Sequence, residues 1–89
     1  MKSNTIEILD ILQEECAEVI QAASKVKRFG WESMFEDGPT NRAHLTTEVG
    51  DLMAMVQLLV VAGDLNVEEI EKATLAKLKK LRVWSKIFE

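Results

Sequence analysis

The stretch LMAMVQLLVVAG, residues 52–63, is apolar from Leu52 to Ala62 with Gln57 as its one interruption. It shows no period-2 alternation, so it reads as helix and not as a half-buried strand. Gly63 supplies a left-handed residue that ends such a helix, and its start falls near Thr40 or Asn41. A helix apolar on nearly every side is buried all round. In so small a chain that burial requires a partner as well as the chain itself, so a second copy is expected.

Working outward, a first helix is expected from an N-cap at Asn4, with Glu7 three residues on, to about Arg28, where Phe29-Gly30 ends it. Ile8, Ile11, Leu12, Val19, Ala22, Ala23 and Val26 keep to one stripe of that helix. Residues 29–40, FGWESMFEDGPT, hold two glycines and the only proline, and read as a loop with one short helical turn around Glu32 to Phe35. Phe29, Trp31 and Phe35 in this loop either pack it onto the helices or offer a stacking wall to a planar ligand. Asn66 caps a last helix that carries Glu68 and Glu69 in its first turn and runs to about Ser85, with the KIFE tail expected to fray. The fold class is all-α: an antiparallel bundle of three long helices plus a short helical turn, a single domain over residues 1–89, completed by oligomerisation.

Composition narrows the function classes. The chain has 89 residues, 47% apolar and 29% charged, with a formal charge of −4. Such a balance leaves no electrostatic footprint for a nucleic acid polymer and no basic anchor for a membrane surface. The N-terminus lacks a signal-peptide pattern, and no apolar run approaches the length of a membrane span, so a cytoplasmic protein is expected. Cys16 is the single cysteine and has no Cys or His at zinc-binding spacing, which makes it a packed, inert thiol.

The carboxylates are the anomaly. At about 100° per residue, Glu15 falls inside the apolar arc of the first helix, with Glu14 and Glu18 at its margin. Glu48 falls among Leu52, Met55 and Leu59 on the second helix, with Asp51 one turn on and His44 one turn back. Buried carboxylates must be protonated, paired with cations or bound to metal. Two helices that each offer carboxylates at i and i+3, Glu15 with Glu18 and Glu48 with Asp51, can direct oxygen ligands to a hard divalent ion between them. The plainer reading is a set of solvated i,i+4 pairs at a wet rim. Lys77 lies within the stripe of Ile70, Ala73, Leu81, Trp84 and Phe88, with Lys80 at its edge. Either these lysines snorkel and neutralise the acids, or they meet a phosphate oxygen.

EECAE, residues 14–18, followed by EVGD, residues 48–51, resembles the EExxE…ExxD signature of the MazG-like all-α nucleoside triphosphate pyrophosphohydrolases. The likeness extends from about Ile8 to Trp84 and includes AKLKKLRVW, similar to the family's lysine-bearing last helix. The resemblance implies Mg2+-dependent hydrolysis between the α- and β-phosphates of a nucleotide, with Mn2+ as a substitute, to give a monophosphate and pyrophosphate. It implies Glu15, Glu18, Glu48 and Asp51 as metal ligands and Glu14 as the leading acid. The water's proton would go to whichever of Glu14 and Glu15 is not fully engaged by the ion. Lys77 and Lys80 fit basic positions near the phosphates, and Trp31, Phe35 and Asn41 are candidates for holding base or sugar. Homodimers or dimers of dimers are implied as well. The stretch between Glu18 and Glu48 is long for the family. Two other readings stay open: a phosphoribosyl-ATP pyrophosphohydrolase of the same superfamily, and a non-catalytic helical module whose acids pair with Lys77, Lys80 and Arg82.

Overall fold

A computed structural model describes all 89 residues. Three helices make up the chain, α1 (Ser3–Phe29), α2 (Asn41–Val61) and α3 (Val67–Trp84), and there is no strand. The residues group into two compact units, Met1–Leu59 and Val60–Glu89.

The first unit is a hairpin of α1 and α2. Asn41, at the start of α2, bonds to the carbonyls of Lys25 and Gly30, while Glu15, further back along α1, meets Glu48 and Asp51 further down α2. That order makes the two helices antiparallel. The stripe expected on α1 is the one covered: Ile8, Ile11, Leu12, Val19, Ala23 and Val26 are half-buried and Ala22 is buried, with Glu15 among them. On α2 the covered residues are Asn41, His44, Leu45, Glu48, Leu52, Met55, Val56, Leu59 and Val60, the three-and-four spacing of a single face. Only Ala22 (1% exposed) and Leu59 (3%) are buried apolar residues, and Thr5 is the one buried polar residue. Although α2 is apolar on nearly every side, Met53 (58% exposed), Leu58 (46%) and Val61 (77%) stay in contact with solvent.

Two local expectations change. Helix α1 begins at Ser3 with Lys2 in the cap position, two residues earlier than an Asn4 cap would set it, and no side chain caps it. The Lys2 carbonyl accepts the first helical bond, from the Ile6 N–H (3.2 Å), and also takes the Thr5 N–H (3.1 Å), which satisfies one of the donors a cap would serve. Between the helices, turns at 31–32 and 36–37 and an isolated antiparallel bridge between Met34 and Thr40 take the place of the short helical turn. The reason lies at the start of α2. The N–H of Asn41 donates to the Ser33 carbonyl (2.8 Å) and that of Arg42 to the Trp31 carbonyl (2.9 Å), so the loop satisfies donors that helix geometry leaves open and is drawn extended alongside them. Thr40 completes the start, its hydroxyl accepting from the Ala43 N–H at 3.1 Å.

By length and composition alone, α2 is long enough and apolar enough to cross a membrane, against the expectation that no segment was. Its Glu48 and Asp51 oppose that use, since an acidic residue at a bilayer centre costs about 2.5–3.5 kcal/mol on insertion scales.

In the second unit, Gly63 turns the chain at φ 84°, a left-handed value that suits glycine. Asn66 caps α3 as its position predicts, its side-chain oxygen accepting from the Glu69 N–H at 3.0 Å, with Glu68 and Glu69 in the first turn and Arg82 in the last. The tail does not simply fray. Ser85 donates to the Leu81 carbonyl and accepts from the Ile87 N–H, and the Arg82 guanidinium lies 4.7 Å from the Phe88 ring centre. Within this unit Ile70, Leu81 and Ser85 are half-covered and the other residues of α3 are exposed.

Candidate metal centre

Helix periodicity brings the acids together in the first unit. One ligand oxygen from each of Glu15 on α1 and Glu48 and Asp51 on α2 lies within 4.8 Å of the others. Glu15 and Glu48 are half-buried and Asp51 is exposed, so the trio sits at the edge of the covered stripe, open to solvent on one side. Glu14 and Glu18 flank it on exposed positions of α1, outside the trio itself. Partial burial, then the negative charges of Asp51, Glu48, Glu18 and Glu14 in that order, raise the Glu15 carboxyl above its ordinary value of 4.5. A raised carboxyl inside a group of acids signals a place that favours added positive charge, supplied by a proton or by a cation. The donor set is all oxygen, which fits a hard divalent ion.

His44 is the neighbour of this cluster that sequence reading placed on the right side of the helix without giving it a role. Its Nε2 stands 3.2 Å from Glu48 Oε1, one helical turn away, with the two side chains 30% and 14% exposed. The i,i+4 spacing of a histidine and a glutamate on one face was the available signal.

Beside His44 opens a cavity of about 520 Å3 whose apolar walls are Phe29, Met34, Phe35 and Pro39. Its polar lining is Lys25, Ser33, Asn41 and His44. Of the residues singled out for base or sugar, Phe35 and Asn41 line this cavity and Trp31 does not. Trp31 instead carries the Arg42 guanidinium 4.9 Å from its ring centre, and Arg42 also bonds Glu32 at 2.8 Å. The Asn41 side-chain amide donates to the Gly30 carbonyl at 3.0 Å and to that of Lys25 at 3.4 Å, so it ties the loop down as well as facing the cavity. Lys77 and Lys80 belong to the second unit, where both are exposed and Lys77 shares a face of α3 with Ile70 and Ala73. Cys16 is exposed, not packed.

An all-helical hairpin that aims carboxylates from two helices at one point defines a class of helical, acid-cluster proteins. Residues 4–82 match the family model of the MazG nucleotide pyrophosphohydrolase domain, and the chain belongs to that family. The chain matches no curated protein and no solved structure.

Proposed function

We propose that this chain is a divalent-cation-dependent nucleoside triphosphate pyrophosphohydrolase that cleaves the α–β phosphoanhydride bond and releases a nucleoside monophosphate and pyrophosphate. The observation that carries this reading is the meeting of Glu15, Glu48 and Asp51 from two helices within ligand reach of a single ion. Family membership supports the nucleotide as the substrate class. Mg2+ is the expected ion and Mn2+ a substitute, because the donors are carboxylate oxygens without histidine or thiolate among them.

Glu15, Glu48 and Asp51 would hold the ion, with Glu18 one turn from Glu15 as the fourth carboxylate within reach of its field. When bound, the ion supplies neutralisation of phosphate oxygens and a more acidic water. Glu14, adjacent to the trio and outside it, accepts the proton of the attacking water, and Glu15 serves as ligand. The cavity beside His44 receives the base and sugar, its apolar walls against the ring faces and Asn41 at the polar edge. A second copy of the chain covers the exposed apolar face of α2, where Val49, Met53, Leu58 and Val61 otherwise face water.

The test is pyrophosphate release over a panel of ribo- and deoxynucleoside triphosphates and phosphoribosyl-ATP, with Mg2+ and with EDTA. Turnover of triphosphates that EDTA abolishes, and that Glu48→Gln abolishes while helical circular dichroism is retained, is the expected result. Turnover by Glu48→Gln at the wild-type rate would contradict the assignment, and turnover of phosphoribosyl-ATP alone would move the chain to the other branch of the superfamily.

A further inference from the structure

Glu48 is a half-buried carboxylate of the site, and its Oε1 lies 3.2 Å from Nε2 of a histidine that also forms part of the cavity wall. The ion pairs Arg42–Glu32 and Lys72–Glu69 lie elsewhere. We propose that His44 is the positioning residue that joins the cavity to the acidic trio: its Nε2–H holds Glu48 in the orientation a cation requires, and its ring is the cavity wall against which the non-reacting part of the substrate packs. This rests on the cation-dependent reading above.

The chemistry of the pair assigns the proton. A carboxylate that holds a cation only accepts, so in the proposed arrangement His44 Nε2, 3.2 Å from Glu48 Oε1, is the donor. A carboxylate gripped at one oxygen loses rotational freedom, and its second oxygen keeps a defined direction. Hydrogen bonds of this kind to a ligand's outer side set how well it binds metal, and their loss typically lowers metal affinity about 10–100-fold. Because the ring also lines the cavity, a ligand seated there rests on the group that orients Glu48. Both roles depend on one turn of α2, and they separate by substitution: Phe keeps a ring and removes the donor, whereas Gln removes the ring and carries an amide donor at similar reach.

The experiment measures Mn2+ binding to the full chain by calorimetry without nucleotide, in wild type, His44→Phe and His44→Gln, followed by steady-state kinetics on a nucleoside triphosphate. His44→Phe is expected to bind Mn2+ about 10–100-fold more weakly, and His44→Gln to bind within a few-fold of wild type but with the larger rise in KM. Should His44→Phe lose its helical signal, His44→Asn, whose shorter amide does not reach Glu48, takes its place with the same expected loss. Wild-type affinity in His44→Phe, or equal loss in His44→Gln, overturns the role of His44 and leaves the enzyme reading standing. A wild-type protein that binds no Mn2+ overturns both.

Discussion

At Glu15 the chain places a carboxylate where partial burial and four negative neighbours all favour its protonated form. The sign for stability follows directly. A carboxyl whose folded-state value is raised binds its proton more tightly in the folded chain than in the unfolded one. Its penalty is therefore absent below the ordinary value of 4.5, grows as pH rises through the raised folded value, and is fully present above it. In EDTA, wild type is expected to lose thermal stability relative to Glu15→Gln across that window and to regain it when Mn2+ is added. Melting curves of both proteins from about pH 4 to about pH 8 check this, and a pH-independent difference would contradict it. The proton acceptor separates in the same way. Glu14→Gln is expected to lower kcat by about 10²–10⁴ with Mn2+ affinity unchanged, whereas Glu15→Gln loses Mn2+ binding as well as turnover. At this scale the sequence was informative about which acids face inward, because the angular step of a helix is constant. It said little of His44, whose pairing with Glu48 competes on paper with every other i,i+4 combination.

Among the elements, α2 has two parts of different character. From Asn41 to Asp51 it carries the polar residues that face the cavity and the trio, and from Leu52 onward it is apolar on nearly all sides. Its first turn also organises the loop, through main-chain bonds to Trp31 and Ser33 and the side-chain bonds of Asn41. Asn41→Ala removes two exposed hydrogen bonds and is expected to cost about 1–2 kcal/mol of stability. It should raise KM by loosening the wall that holds Met34 and Phe35, with Mn2+ affinity unchanged. A Tm shift without a KM shift would show that the loop is held without Asn41. The helices themselves were legible because periodicity, Asn66 and Gly63 all pointed the same way. The loop was not, since its shape answers to which donors the start of α2 leaves open, and local composition does not encode those partners.

For the molecule as a whole, two buried apolar side chains make a very small core, and the exposed apolar residues of α2 make a large unpaid surface. We expect a homodimer or a dimer of dimers in solution, with a Tm that rises with protein concentration by mass action. Met53→Asp puts a charge into the covered face of that assembly and is expected to dissociate it and lower Tm, because a charge buried without a partner costs several kcal/mol. Light scattering after size-exclusion chromatography reads the mass directly. A wild-type monomer at micromolar concentration would contradict the assembly.

The order of the amino acids was enough to set the helical class, the stripe on α1, the cap of α3 and the inward aim of Glu15 and Glu48, because each depends on regular geometry within one segment. Which carboxylates come within reach of a common ion, how the loop lies, what His44 touches and where a cavity opens were decided by the approach of α1 to α2. That approach depends on contacts between residues far apart in the chain, and no local pattern specifies them.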